Sequence, residues 1–279
     1  MNEIKVCYTE RANIGDSINP YIFENVLKVP FVNSRYHSCT ISGIGSGLRR
    51  FFVKPNSFTN FKMIVRGRSN LRPLILWSAG FISTPSGKEI CTRNNLKVAS
   101  VRGKLSKQWI ETILDKKVDC SVGDGGLLVS ELLETPIEKK YDIGIIPHDK
   151  DRDDPIVMKL NKDLQNSIVI DVRGDVMDTL HTIASCRTII SSSLHGLIIS
   201  DSFHIPNSHI IISDRLSGDG FKFNDYYSSF DLIDSPIDLR NQYIINEIVP
   251  DRIKDRYKIE EVKVEKMKED IKEAFFRFI

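Results

Sequence analysis

Ile189-Ile-Ser-Ser-Ser-Leu-His195-Gly196-Leu-Ile-Ile-Ser-Asp201-Ser-Phe-His204-Ile-Pro206 reads as a buried strand, a turn that opens a helix, and the entry to a second strand. This layout places His195 where helix amides and a strand end converge, the edge at which open α/β sheets bind ligands. Helix N-termini favour anions, and imidazole titrates near neutrality. A phosphorylated substrate and an acid/base step are the expectation.

The same rhythm recurs on both sides. Ile4 to Tyr8 is strand-like and leads through Arg11-Ala-Asn13-Ile-Gly15-Asp16 into a helix predicted from Ser17 to Leu27. Further strands end at Gly43-Ile-Gly45-Ser-Gly47, at Ser78-Ala-Gly80 and at Arg102-Gly103. After a charged, Pro-containing linker, Glu134 to Lys140, come the strands Tyr141 to Ile146, Ser167 to Val172, Thr188 to Ser192 and Ser208 to Ser213. Apolar strands followed by small-residue turns predict parallel sheets. A chain of 279 residues fits two domains at about 150 residues each. The expected fold is therefore α/β, with two Rossmann-like domains facing a cleft: residues 1–138 and 139–250. Residues 251–279 form an amphipathic helix, in which Val264, Met267, Ile271, Phe275 and Phe278 recur every three or four positions.

Thirty-nine Lys and Arg against 37 Asp and Glu leave a net charge of +2, too balanced for nucleic-acid binding through bulk charge. The five cysteines form no Cys-x-x-Cys pair, which argues against a zinc ribbon or a redox motif. No metal-ligand cluster is legible, and no apolar run is long enough to span a membrane. The chain is expected in the cytoplasm, at most in peripheral contact with the inner face of the membrane. Leu48-Arg49-Arg50-Phe51-Phe52-Val53-Lys54 mixes cations with aromatics; it reads either as a patch for an anionic membrane or as a loop entering the core. The glycines at 43, 45 and 47 miss the dinucleotide-binding spacing, because position 48 is leucine.

Among the candidate site residues, His195 is a catalytic candidate with Ser193 and Gly196 beside it; a core histidine is the alternative. Arg102, at a strand end, has the fork geometry for a carboxylate or phosphate. Asp16 is either a helix cap or a base. Asn13, Gly15 and His148 lie in turns at the same sheet edges, and Lys222 adds positive charge if its loop folds over the cleft.

Taken in order, Asn13-Ile-Gly-Asp16-Ser-Ile-Asn19-Pro20, Gly43-Ile-Gly-Ser, Trp77-Ser-Ala-Gly80-Phe, Ser100-Val-Arg102-Gly, Val122-Gly-Asp124, Ile146-Pro-His148 and Ser193-Leu-His195-Gly196 resemble the polysaccharide pyruvyl transferase family, over roughly residues 3–230. The resemblance implies an architecture similar to glycosyltransferase B. It also implies phosphoenolpyruvate as donor, no further cofactor, and a ketal-linked pyruvate on two hydroxyls of a sugar, with a lipid-linked saccharide as the expected acceptor. Relatives hold the donor with an Arg-Leu-His sequence and a second arginine. Leu194, His195 and Arg102 match these, but Ser193 stands where the first arginine would be. Arg173, Lys222 or Arg215 are the candidates to replace that contact. His195 and Arg102 are then catalytic, with Asp16 a base; Ser193, Leu194, Gly196 and Lys222 bind the donor, and Asn13, Gly15 and His148 the acceptor. The alternatives are a sugar-nucleotide glycosyltransferase and a non-catalytic glycan-binding protein.

Overall fold

Residues 3–10, 12–134 and 136–279 are described by a computed structural model; Arg11 of the first turn and Thr135 of the linker lie outside them. The first half contains β1 (Ile4–Cys7), α1 (Ile14–Tyr21), β2 (Phe31–Asn33), β3 (Ile41–Ser42), β4 (Phe52–Val53), α2 (Phe58–Arg68), β5 (Leu74–Leu76), β6 (Ile90–Cys91), β7 (Leu96–Val98), β8 (Ser100–Val101), α3 (Lys104–Leu114) and β9 (Ser121–Val122). Its main sheet has the order β2-β1-β3-β5-β7, and its pairings are parallel. Bridges from Gly45 to Ala79 and from Ala79 to Val101 carry it on to the parallel pair β8 and β9. The antiparallel pair β4 and β6 stands apart.

A 3-10 segment, Gly125–Leu132, leads to the second half. This contains β10 (Tyr141–Ile146), α4 (Pro155–Asp163), β11 (Ser167–Val169), α5 (Val176–Ala184), β12 (Cys186–Ser191), α6 (Leu194–Ser202), β13 (Asn207–Ile211), α7 (Phe221–Ser228), β14 (Ile237–Asp238), α8 (Pro250–Arg256) and α9 (Glu261–Phe278). Its sheet, β11-β10-β12-β13-β14, is also parallel. In each half the first strand is flanked by the second and the third. Both sheets therefore carry a topological switch point, where strand order reverses and the loops splay apart to leave a crevice.

The helix after β1 starts earlier than the sequence suggests. Asn13, not Asp16, is its cap: the Asn13 carboxamide oxygen accepts from the Gly15 amide at 3.1 Å. α1 begins at Ile14, and its continuation is a π-helical turn, Ile22–Val26.

The two halves share a core. Val6, Ile18 and Phe23 belong to the same apolar cluster as Ile146, Val172, Leu180 and Ile199, and the Ile14 amide donates across to the Val172 carbonyl at 2.6 Å. α9 closes this core with Ile271 and Phe275 buried, worth roughly 1.5–3 kcal/mol for each large side chain. Phe275 packs on Phe23 and Trp77, and the Trp77 indole donates to the Ile271 carbonyl at 2.9 Å. The C-terminal helix thus reaches back to the first half. The segment from Leu48 to Val53 is core as well, with Leu48, Phe51, Phe52 and Val53 buried; that overturns the membrane-patch reading of this stretch and confirms the loop-to-core one.

Candidate active site

Ser46 and Phe81, beyond β3 and β5, reach Arg102 at the end of β8, and His195 at the start of α6 lies against Gly15 in the first turn of α1. A Cβ on Gly15 would collide with the His195 imidazole, and the position 45 backbone lies beside the Asp16 carboxylate. Gly15 is therefore needed as a close-approach glycine: the first turn of α1 lies directly on the ring. Gly15→Ala is expected to force the imidazole out of place and to lower stability by roughly 1–3 kcal/mol, measurable by urea unfolding.

His195 has a shielded Nε2 without a hydrogen-bond partner among the described residues. Burial, then the charges of Arg102 and Lys222, push its pKa down to about 3, so the ring is neutral at pH 7. The histidine stands on the second residue of α6, whose cap residue, Ser193, makes no side-chain capping bond. Leu194 is buried in the core with Leu127 and Phe223. Gly196 is pinned where a Cβ would strike the Ser191 hydroxyl. What Leu194 and Gly196 offer a ligand is therefore backbone.

Arg102 requires a correction. It was expected to grip the donor directly, yet its side chain is 0% exposed. Its Nε donates to Asp225 Oδ2 at 2.9 Å, its Nη1 to the Ser46 hydroxyl at 2.9 Å and its Nη2 to the Phe81 carbonyl at 2.5 Å. Asp225, on α7, also accepts from the Ser106 amide and hydroxyl, each at 2.7 Å. A buried guanidinium must be matched by a carboxylate, and this one is spent on tying α7 to the first half. Its charge still reaches the site, since it depresses both His195 and Lys222.

Lys222, the second residue of α7, makes no hydrogen bond or salt bridge among the described residues, with Asp151 acting on it only through its charge; the Phe223 ring lies 5.0 Å from its ammonium. Burial, then Arg102 and Lys150, lower its pKa to about 8. The other two candidates for the missing arginine are committed: Arg173 pairs with Asp149, and Arg215 with Asp154 at 2.5 Å. Lys222 lines a cavity of about 290 Å³ with Ser192, Ser213 and Arg240 at the ends of β12, β13 and β14.

His148 stands beside this group, although it was expected on the acceptor side. Its amide donates to the Ser192 hydroxyl at 2.8 Å, and buried Asp151 accepts from Ser192 and Ser213 at 3.1 and 2.5 Å, locking the loop. Burial and then Lys222 lower its pKa to about 4. The sequence offers Ser192 as one of the hydroxyls of the Ser191–Ser193 run beside His195, whereas Asp225 and Asp151 are revealed by their long-range partners. Among the described residues no cluster suits a metal ion.

Two imidazoles held neutral give acid-side instability. A histidine whose folded pKa lies below its unfolded value of about 6.5 stabilises fully above pH 6.5, and this contribution is lost as pH falls toward the folded value. Asp124 and Asp201, pushed up by burial to about 6 and about 7, titrate in the opposite sense over the same range. The test is therefore a difference. Relative to the His148→Gln/His195→Gln variant, the native chain should lose up to about 1.4 kcal/mol per pH unit per histidine between pH 6.5 and 4, read from urea midpoints. A constant difference would contradict the neutral pair.

Residues 13–214 match the family model described as polysaccharide pyruvyl transferase. The chain is 30% identical over 134 residues to an uncharacterized protein of Acanthamoeba polyphaga mimivirus, covering 47% of each chain. It is 21% identical over 222 residues to the succinoglycan biosynthesis protein ExoV of Rhizobium meliloti, covering 78% of this chain and 61% of that one. The chain thus spans about half to three-fifths of the length of these relatives. An uncharacterized Klebsiella pneumoniae protein of solved structure superposes with a TM-score of 0.48 at 11% identity, over 87% of this chain and 91% of that one.

Proposed function

The chain belongs to the polysaccharide pyruvyl transferase family, and from that membership we propose that it moves the pyruvyl group of phosphoenolpyruvate onto two hydroxyls of a sugar in a surface polysaccharide or its lipid-linked precursor. The observation that carries this reading is an unmatched positive site. Lys222 lines a cavity of about 290 Å³ and makes no salt bridge among the described residues, its charge reaches both His148 and His195, and the field of Arg102 adds to it at His195. A small molecule with both a phosphate and a carboxylate supplies the missing negative charge.

In this reading the two sheet edges form the walls of a cleft, with the donor against the second half and the acceptor against Asn13, Gly15 and Asp16. Lys222 takes the place of the arginine absent at Ser193, and His148 joins the donor side. Binding of the dianion counters the Arg102 and Lys222 charges that add to the effect of burial on His195, and in this reading the imidazole gains a proton. It then protonates the methylene carbon of the enol, and the cation-like C2 is attacked by one sugar hydroxyl, which gives up its proton to a base such as Asp16. The C2–O bond to phosphate breaks, the second hydroxyl attacks C2 as its proton returns to His195, and inorganic phosphate and the cyclic ketal are the products.

The test is phosphate release from phosphoenolpyruvate with synthetic or lipid-linked saccharides, alongside mass spectrometry of the saccharide. Acceptor-dependent phosphate and a pyruvate adduct are expected. Release of a nucleotide from a sugar nucleotide, with phosphoenolpyruvate inert, would replace this reading with glycosyl transfer.

A further inference from the structure

Residues 25–88 contain ten Lys and Arg and no Asp or Glu, in a chain whose total charge is +2. α2 lies in the middle of this segment. Its inner face is Ile64 and Gly67, both buried, with Gly67 seated against Thr92. Its outer face carries Phe58, Phe61 and Val65 at helical spacing, exposed to 72%, 57% and 52%, and Leu71 follows at 84%. On a 3.6-residue helix, Lys62 and Arg66 flank this apolar stripe on one side and Arg68 on the other. The Lys62 ammonium lies 4.3 Å from the Phe58 ring centre.

From this we infer that the outer face of α2 is a docking surface for an anionic lipid bilayer. Aromatic residues on the exposed stripe of a helix, with basic residues along its borders, suit the headgroup–acyl boundary, where rings enter the apolar layer and cations meet anionic headgroups. The charge complementarity is one-sided, since no carboxylate within the segment opposes it. A nucleic-acid surface would use the cations but leave the outward Phe58, Phe61, Val65 and Leu71 without a purpose. Arg66 also lines a groove of about 520 Å³ with Arg35, Arg50, Tyr8 and Tyr36, which runs to the end of β1 just before the Asn13 turn. A lipid-linked acceptor would be delivered along that route, but the inference does not rest on the reaction.

The experiment is co-sedimentation of the full chain with phosphatidylcholine vesicles, with and without 30% phosphatidylglycerol. Uptake on the anionic vesicles only, weakening as salt screens the charges, is expected. Lys62→Ala/Arg66→Ala should lower the partition coefficient roughly 25-fold, at about fivefold per charge, and Phe58→Ser/Phe61→Ser by about tenfold or more. Ile233→Ser, an exposed apolar change in the second half, should leave it unaltered. All of these side chains are on the surface, so folding is retained, as thermal melts will verify. Absence of uptake by the native chain, or unchanged uptake by the Phe58→Ser/Phe61→Ser variant, overturns the inference. So does concentration-dependent self-association that this variant abolishes without vesicle binding, which would make the face a contact between copies.

Discussion

Replacing His195 by glutamine is expected to reduce acceptor-dependent phosphate release by roughly 10²–10⁴-fold, the usual contribution of a positioned acid or base. Glutamine keeps a hydrogen-bonding group near the position of Nε2 but cannot carry the proton. The loss should therefore fall on kcat, with the KM for phosphoenolpyruvate little changed. Lys222→Met should show the opposite pattern, a raised KM, because an ammonium without a carboxylate partner acts through charge on the bound donor. Two features single out His195 as more than a packed histidine. Its Nε2 is shielded and has no hydrogen-bond partner among the described residues, a state shared by few buried side-chain atoms of the chain. Its ring also lies on Gly15, so that both halves fix its position. Native-like kcat in the glutamine variant, with folding retained, would remove His195 from the chemistry.

Much of this arrangement was legible in the chain, and the failures have physical causes. Buried parallel strands appear as apolar runs, so β1, β5, β10 and β12 were evident, and the small residues after them marked the sheet edge that carries the site. α2 was not seen, because only Ile64 and Gly67 face inward and the apolar stripe points to solvent. The charge imbalance of residues 25–88 was in plain view but hidden by averaging over the whole chain. Arg102 reads from the sequence as a donor clamp at a strand end, and the structure buries its guanidinium against Asp225. Its partner, Asp225, is 123 positions away, and no local pattern reports such a pairing. The state of His195 is equally non-local: a neutral imidazole is set by burial and by cations from two other elements. Lys222, placed among several candidates by composition alone, is favoured only because Arg173 and Arg215 have carboxylates beside them.

Asp225→Ala is expected to cost about 3–5 kcal/mol of folding stability, the range for breaking a buried ion pair by removing one partner. Both side chains are 0% exposed, so the change strands a guanidinium away from water and removes the acceptor for the Ser106 amide and hydroxyl as well. The surroundings cannot relax easily: a Cβ at Gly80 would meet the guanidinium, and one at Gly103 would meet the backbone of Asp225. Urea unfolding of the native and variant chains measures the loss. A cost below about 1 kcal/mol, the value of a solvated surface pair, would mean that water reaches this junction. The double variant Arg102→Met/Asp225→Leu should recover most of the stability, because replacing a buried pair with apolar groups of similar size removes the desolvation penalty on both sides. Its donor KM should rise above the native value, since the positive field of Arg102 at His195 and Lys222 has gone with the side chain. Stability and donor binding thus separate in this one variant, and a return of both to native values would assign Arg102 to the scaffold alone.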